Sequence, residues 1–241
     1  MVRVCVYGSS RFSTPSKYLQ ASKELGKILA DGGHLCINGG GKSGCMGALN
    51  DGVIESGGKV RGVILKKFVV EGEDHSGIQD MVIVEGNDLQ NRKKFLVEDA
   101  DCVIALPGGT GTWDEVWEAV CLNGLGLQQK PICLINIDGF YDSFIAMLNR
   151  AEKDELLHSA WPDFLWFEDT PEKALNWCLD KLQLEEKGSN GLTSTNNSLV
   201  KKKNGFCFDS CTKCFLTGLL VGTTISSTFI LLCSFNRFSK K

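Results

Sequence analysis

Short apolar segments alternate with helical patterns along residues 2–182, and this alternation strongly limits the fold. The predicted strands span 2–7, 34–38, 59–65, 81–85, 101–106, 131–136 and 164–167. Several of them are continuous apolar runs, which is typical of parallel strands covered on both faces. Helices are predicted at 15–30, 44–56, 88–99, 112–124, 141–152 and 170–182, the last with Thr170 as its cap and a proline at its first helical position. The sequence therefore predicts an α/β fold, a doubly wound parallel sheet in one domain spanning 1–182.

Charge divides the chain into two parts. The whole chain has a formal net charge of −3, but residues 183–241 contain 8 Lys and Arg against 3 Asp and Glu. The remaining 1–182 are therefore acidic. An acidic body lacks the broad basic surface that nucleic acid requires, so we expect no nucleic-acid partner. A site for a single phosphate stays compatible with this charge.

The C-terminal residues differ in character from the rest. Residues 183–214 are polar and rich in Ser, Asn and Gly, which predicts a flexible linker. Residues 215–235 contain no charged side chain and are long enough to cross a bilayer as a helix, although seven Ser and Thr weaken that pattern. We therefore predict a single transmembrane helix that anchors a cytosolic domain to a membrane. The alternative is an amphipathic helix or one buried by a partner.

Eleven cysteines are present. Most of those before residue 183 lie in apolar runs, where a free thiol behaves as a small buried apolar group, so a reducing compartment is expected. Cys207, Cys211 and Cys214 precede the predicted span. Juxtamembrane acylation, a metal site and unmodified thiols all stay open for these three residues.

Two glycine-rich segments follow predicted strands. "NGGGKSG" (38–44) lacks the first glycine of a P-loop, because that position is Cys36. The first strand is followed by "YGSSRF", which lacks a dinucleotide fingerprint. Glycine-rich turns that lead into helices still expose backbone N–H groups to an anion. We interpret "NGGGKSG" and "PGGTGT" (107–112) as parts of a phosphate site, with simple turns as the alternative.

Acidic residues follow the second glycine-rich segment directly. Thr112 and Glu115 have the spacing of a capping box, which is a purely structural explanation. A carboxylate beside a bound phosphate repels it. A site keeps such a carboxylate only when something offsets this repulsion, for example a reaction that develops positive charge nearby. Cleavage of an N-glycosidic bond develops such charge on the ribose, and Glu115 is therefore a candidate catalytic carboxylate that stabilises this charge or aligns water.

The predicted helix 88–99 carries a positively charged residue of interest. Asp88 is placed to cap this helix, and Arg92 shares a stripe with Phe95 and Leu96. An arginine that leans toward the core near the ligand end of a sheet needs an anion or an acid. Arg92 is therefore a candidate to bind an anionic ligand or to pair with an acid.

These segments resemble the Lonely Guy family of cytokinin riboside 5′-monophosphate phosphoribohydrolases. "PGGTGTWDE" resembles the PGGxGTxxE motif of that family, and "NRKKFL" resembles its arginine–lysine helix at the family spacing. "VCVYGSS", the segment from "INGGGKSG" to "GGKVRGVI", and "KPICLINIDGFYDSFIAML" extend the resemblance over 2–182. The resemblance does not cover the C-terminal part. The sequence departs from the family pattern at some positions, for example at "DLQN" before Arg92. These departures bear on the expected base preference more than on the expected hydrolysis.

The resemblance implies a Rossmann-like homodimer that hydrolyses a purine nucleoside 5′-monophosphate, cytokinin-type or plain, to free base and ribose 5-phosphate. It implies catalytic roles for Arg92 and Glu115. It implies substrate binding by Lys93, Gly108, Gly109, Thr110, Gly111, Thr112, Asp114, Ser9, Gly40, Gly41 and Met46. Neither a metal nor an organic cofactor is expected. Some relatives are labelled lysine decarboxylases, but no motif for pyridoxal phosphate supports that reaction here.

Two other hypotheses compete with the hydrolase. The chain is either a membrane-anchored nucleotide-binding sensor without turnover, or a different enzyme on the same sheet that acts on a modified sugar phosphate. Substitution of Glu115 distinguishes the first alternative, and assays of base release from varied nucleotides distinguish the second.

Overall fold

The computed structural model describes the backbone of residues 1–191 and the side chains of residues 1–184. Seven parallel strands form one sheet: β1 (Arg3–Tyr7), β2 (Leu35–Asn38), β3 (Lys59–Leu65), β4 (Asp80–Val84), β5 (Cys102–Ala105), β6 (Ile132–Ile135) and β7 (Trp166–Glu168). The strand order is β4-β3-β2-β1-β5-β6-β7. The chain therefore reverses its direction of winding between β1 and β5, the place where ligands of such sheets bind.

Helices connect the strands on both faces. They are α1 (Ser16–Asp31), α2 (Gly44–Glu55), α3 (Lys66–Val70), α4 (Leu89–Val97), α5 (Thr110–Gly124), α6 (Asp142–Lys153) and α7 (Pro171–Gly191). Two short 3₁₀ turns lie at Ile137–Gly139 and Trp161–Asp163. The predicted doubly wound parallel sheet is confirmed.

The core has one apolar cluster on each face of the sheet. Buried side chains of α1, α2 and α7 pack on one face, among them Leu25, Leu49 and Leu175. Buried side chains of α4, α5 and α6 pack on the other, among them Leu96 and Val116. Successive side chains of the central strands belong alternately to the two clusters, because successive strand residues point to opposite faces of the sheet. This explains why those strands are apolar throughout.

Two predicted helix starts are confirmed in detail. The Asp88 carboxylate accepts hydrogen bonds from the backbone N–H of Gln90 at 3.0 Å and of Asn91 at 3.1 Å, which caps α4. The Thr170 hydroxyl accepts from the N–H of Lys173 at 3.3 Å before α7. Both caps satisfy N–H groups that the first helical turn leaves unpaired.

Three details differ from the sequence-based expectations. The short helix α3 was not predicted. The helix after the PGGTGT loop starts at Thr110 with Gly109 as its N-cap, so Thr112 lies within the helix and the predicted capping box is wrong. Helix α7 continues to Gly191, so the first residues of the predicted linker are helical. Good helix formers such as Leu184 and Lys187 explain this extension.

Within residues 1–191, no helix has both the length and the apolar character needed to cross a bilayer. The predicted span at 215–235, the rest of the predicted linker, and Cys207, Cys211 and Cys214 lie outside the described residues.

A buried pair of asparagines shapes the turn after β2. The Asn38 side chain donates to Asn50 Oδ1 at 2.7 Å and accepts from the Gly40 N–H at 2.8 Å. Asn50 in turn donates to the Gly41 carbonyl at 3.1 Å. Both side chains are fully buried. The network therefore ties the glycine-rich turn to helix α2.

We expect Asn50→Ala to lower the free energy of unfolding by about 2 kcal/mol, because it removes the hydrogen bond from the Asn38 amide nitrogen to Asn50 Oδ1 and leaves the buried Gly41 carbonyl without its Asn50 donor. Urea denaturation of the full-length chain measures this change. Asn87→Ala, at an exposed position, is the control and should change stability little. Equal stability of the two variants would contradict the proposed role of the network.

Candidate functional site

A cleft of about 570 Å³ opens at the carboxyl ends of the central strands. The loops that follow β1, β2, β3 and β5 form its walls, together with the first turns of α4 and α5. It therefore lies across the point where the winding of the sheet reverses. Its size is in the range of pockets that bind small molecules.

Arg92 and Glu115 meet in this cleft. Arg92 Nη1 lies 3.1 Å from Glu115 Oε1, and the two side chains are only 11% and 15% exposed. Arg92 Nε also donates to the Val63 carbonyl at 3.0 Å. The guanidinium is thus held between the end of β3 and the carboxylate. The predicted need of Arg92 for an acid is confirmed, and that acid is Glu115.

The surroundings of Glu115 change its acidity. Burial raises the pKa of Glu115, because the ionised carboxylate loses water, and the positive charge of Arg92 opposes this rise. The net direction is upward. A buried carboxylate with a raised pKa in a cleft is a common feature of catalytic acids and bases.

Seven of the other predicted site residues also line the cleft. Gly109, Thr110, Gly111 and Thr112 form the start of α5. Ser9 and Gly41 come from the loops after β1 and β2, and Met46 comes from the first turn of α2. At the start of a helix, backbone N–H groups have no partner within the helix and point outward with the positive end of the helix dipole. The first turn of α5 can therefore bind an anion within reach of Glu115.

Lys93 and Asp114 lie outside the lining of the cleft. Lys93 is 7% exposed, and its Nζ lies 3.0 Å from Asp114 Oδ2 and 2.6 Å from Glu118 Oε2. Burial lowers the pKa of Lys93, but hydrogen bonds to Glu118 and Asp114 raise it, and the net change is upward. This lysine joins α4 to α5. It therefore holds together the two helices that carry Arg92 and Glu115.

Gly108 and Gly40 also lie outside the lining. A Cβ at Gly108 would lie 2.2 Å from Thr112 Oγ1, so the absence of a side chain there lets Thr112 pack beneath the loop. The Gly40 carbonyl accepts from the His75 N–H at 2.9 Å, which joins the β2 turn to the segment after α3. Both glycines therefore support the loops that form the cleft without lining the cleft themselves.

Several cleft residues were not singled out individually from the sequence. They are Gly8, Ser10, Arg11, Gly39, Lys42, Ser43, Ile64, Phe68, Glu71, Glu73 and Leu89. Some are neighbours of predicted residues in the glycine-rich loops, so the motifs themselves pointed to them. Phe68, Glu71 and Glu73 lie on or after α3, a helix of five residues whose sequence shows no clear periodicity. Only the folded chain brings them to the cleft.

The family comparisons agree with this geometry. A family model described as "Possible lysine decarboxylase" matches residues 46–178. The rice (Oryza sativa subsp. japonica) Cytokinin riboside 5′-monophosphate phosphoribohydrolase LOG is 37% identical over 149 residues, which cover 62% of this chain and 61% of the rice protein. The probable rice enzyme LOGL6 is 31% identical over 72% of this chain and 68% of its own length. This chain belongs to the Lonely Guy family.

Solved structures show the same fold. The X-ray structure of the protein TM1055 has a TM-score of 0.56 and 27% sequence identity, and covers 78% of this chain and 99% of its own. A molybdenum cofactor binding protein from the bacterium Rippkaea orientalis has a TM-score of 0.58 and 20% identity, over 75% of this chain and 97% of its own. At that identity the second likeness concerns the fold alone.

The structure places the two glycine-rich segments and the helix of Arg92 around one cleft. Within the described side chains, no group of three or more His, Cys, Asp or Glu is arranged to hold a metal ion. The roles of the individual residues, and the expectation that no cofactor takes part, stay predictions.

We expect Gly39→Ala to disturb the ion pair. The new Cβ would lie 2.5 Å from Arg92 Nη2 and 2.7 Å from Met46 Sδ, so the guanidinium must move away from Glu115. Base release from a nucleotide should then fall by about tenfold or more, since small displacements of reacting groups are costly. Gly124→Ala is the control, because its Cβ finds its nearest atom at 3.9 Å. Full activity of Gly39→Ala would contradict the importance of this geometry.

Proposed function

We propose that this Lonely Guy protein hydrolyses the N-glycosidic bond of a purine nucleoside 5′-monophosphate. The products are the free base and ribose 5-phosphate. The observation that carries the proposal is the buried Arg92–Glu115 pair beside an anion-binding helix start. The names of the curated relatives support it further, although the matched part of the first rice relative is 61% of its length.

The chemistry follows from the positions of the groups. The phosphate binds at the start of α5, and this places the ribose next to Glu115. As the bond between C1′ and the base nitrogen lengthens, positive charge develops on the ribose ring. The Glu115 carboxylate stabilises that charge and orients a water molecule toward C1′. The oxygen of the water joins C1′, and one of its protons leaves with the base.

Arg92 has two tasks in this scheme. Its contacts with Val63 and Glu115 hold the carboxylate in one position, and the rest of the guanidinium faces the cleft where the nucleotide lies. It also lowers the pKa of Glu115 against the effect of burial. A larger share of Glu115 is thus ionised at neutral pH.

The base lies at the other end of the cleft in this proposal. Apolar side chains of Ile64, Phe68 and Leu89 line that end. They provide contacts for a purine ring and for an apolar substituent on it. A direct comparison of the two substrates decides whether a prenylated or a plain adenine is preferred.

The sensor hypothesis is less favoured. A module that only binds nucleotide gains nothing from a buried carboxylate beside the ribose, because that group repels the phosphate. The two rice relatives named above also carry the names of hydrolases.

Assembly and location complete the proposal. Exposed apolar side chains on α4, Leu89 at 51% and Phe95 at 43%, support association of two copies into a homodimer, which sedimentation of the purified chain tests. The apolar segment 215–235 supports a tail that anchors a cytosolic domain to a membrane. Fractionation of cells that express chains with and without 215–241 tests the anchor.

We expect Glu115→Gln to lower the turnover number at least about 100-fold, because the carboxylate that stabilises the ribose is lost. The affinity for nucleotide should stay within a few-fold. The substrates are adenosine 5′-monophosphate and its N6-prenylated analogue, with free base followed by chromatography and binding by calorimetry. Glu24→Gln is the control, since Glu24 is exposed on α1, which packs on the opposite face of the sheet. A wild type that binds nucleotide and releases no base would overturn the hydrolase in favour of the sensor.

The raised pKa of Glu115 predicts the pH dependence. The ionised form is the active one, so kcat/KM should fall as the pH drops through the pKa of Glu115. The midpoint should lie above about 4.3, the ordinary value for glutamate. Arg92→Gln removes a charge that lowers this pKa, so the midpoint of its residual activity should move to higher pH. A midpoint at or below the ordinary value, or a shift to lower pH, would contradict this assignment.

A further inference from the structure

Arg11 differs from the other arginines of the described residues. Of the five at positions 1–184, four form ion pairs with carboxylates: Arg3, Arg61, Arg92 and Arg150. Arg11 lines the cleft and forms no ion pair with a described side chain. A guanidinium at the wall of a ligand cleft, without a carboxylate to neutralise it, is available to an anionic ligand.

The backbone of Arg11 is held firmly. Its N–H donates to Ser9 Oγ at 3.2 Å, and its carbonyl accepts from the Thr14 hydroxyl at 2.6 Å and the Thr14 N–H at 3.1 Å. The Ser9 N–H donates to the Pro107 carbonyl at 3.2 Å. This last bond ties the loop that carries Arg11 to the segment that leads into α5. Arg11 is therefore positioned on the side of the cleft where α5 begins.

Helix α2 supports the same loop from below. Gly44 has a φ of +64°, and a Cβ there would lie 2.5 Å from the Ser9 carbonyl oxygen and 2.9 Å from the Arg11 nitrogen. Only glycine allows this approach at low cost. The start of α2 thus packs directly against the backbone of Arg11.

Negative charge lies at the opposite end of the cleft. Glu71 and Glu73 follow α3, and the Glu73 carbonyl accepts from the Lys42 N–H at 3.0 Å, which pins this segment to the β2 turn. In the sheet, β3 and β2 lie on one side of β1, and β5 lies on the other. The acids are therefore separated from the start of α5 by the β1 loop. A phosphate is therefore repelled at the end of the cleft that carries Glu71 and Glu73, and attracted at the end that carries Arg11.

We propose that Arg11 binds the 5′-phosphate together with the first turn of α5, and that it distinguishes nucleoside 5′-monophosphates from nucleosides. This inference rests on the proposed function for its substrate. The phosphate carries two negative charges near neutral pH, and the helix start supplies only partial positive charge. Arg11 supplies the full charge, in a fork that two phosphate oxygens can accept.

The test compares Arg11→Gln with the wild-type full-length chain. The KM for adenosine 5′-monophosphate should rise about 10- to 100-fold, while kcat changes by less than about threefold, because the lost contact is equal in the ground state and the transition state. The affinity for ribose 5-phosphate, measured by calorimetry, should fall by a similar factor. The affinity for adenosine should not change. Arg11→Lys should recover part of the loss, since it keeps the charge without the fork.

Arg150→Gln is the matched control, because Arg150 is exposed on α6 and pairs with Asp154. An unchanged KM and an unchanged affinity for ribose 5-phosphate in Arg11→Gln would overturn the proposal. So would equal losses for adenosine and its monophosphate, which indicate a structural effect. If the wild type releases no base, the proposed function fails, but the titration with ribose 5-phosphate still decides the role of Arg11.

Discussion

The buried contact between Arg92 and Glu115 is the interaction on which the site depends. A carboxylate removed from water is stable only when an opposite charge or hydrogen bonds compensate for the lost hydration. Arg92 compensates for Glu115, and the Val63 carbonyl orients Arg92 in turn. The pair requires that α4 and α5 lie side by side on one face of the sheet. Lys93 secures this arrangement through Asp114 and Glu118 on α5.

The same contact explains why acids stand next to a phosphate loop. In the proposed scheme the backbone N–H groups at the start of α5 bind the phosphate, whereas Glu115 lies more than one turn further along the helix. One helix thus presents an anion site at its end and a carboxylate on its side. In the proposed scheme the phosphate lies at the end of the cleft that carries Arg11, away from Glu71 and Glu73.

The sequence predicted the central features because they depend on local patterns. The apolar runs of β1, β2 and β5 predicted buried parallel strands, and the capping residues Asp88 and Thr170 marked two helix starts. The sequence was ambiguous where one local pattern fitted two structural explanations. The spacing of Thr112 and Glu115 fits a capping box, but the helix begins earlier, and the carboxylate turns to Arg92 instead of the backbone. Lys93 lies outside the cleft lining and pairs with Asp114 and Glu118, since adjacent residues on a helix point in different directions, and its role in substrate binding stays a prediction.

The sequence by itself determined the order of strands and helices, the glycine-rich turns, and the identities of Arg92 and Glu115. It did so because strand and helix periodicities and turn chemistry act over a few residues. The tertiary structure decided which residues face the cleft. It brought in Arg11, Phe68 and Glu71, and it placed Lys93 between two helices. These outcomes depend on contacts between residues far apart in the chain, and a single sequence does not record such distances.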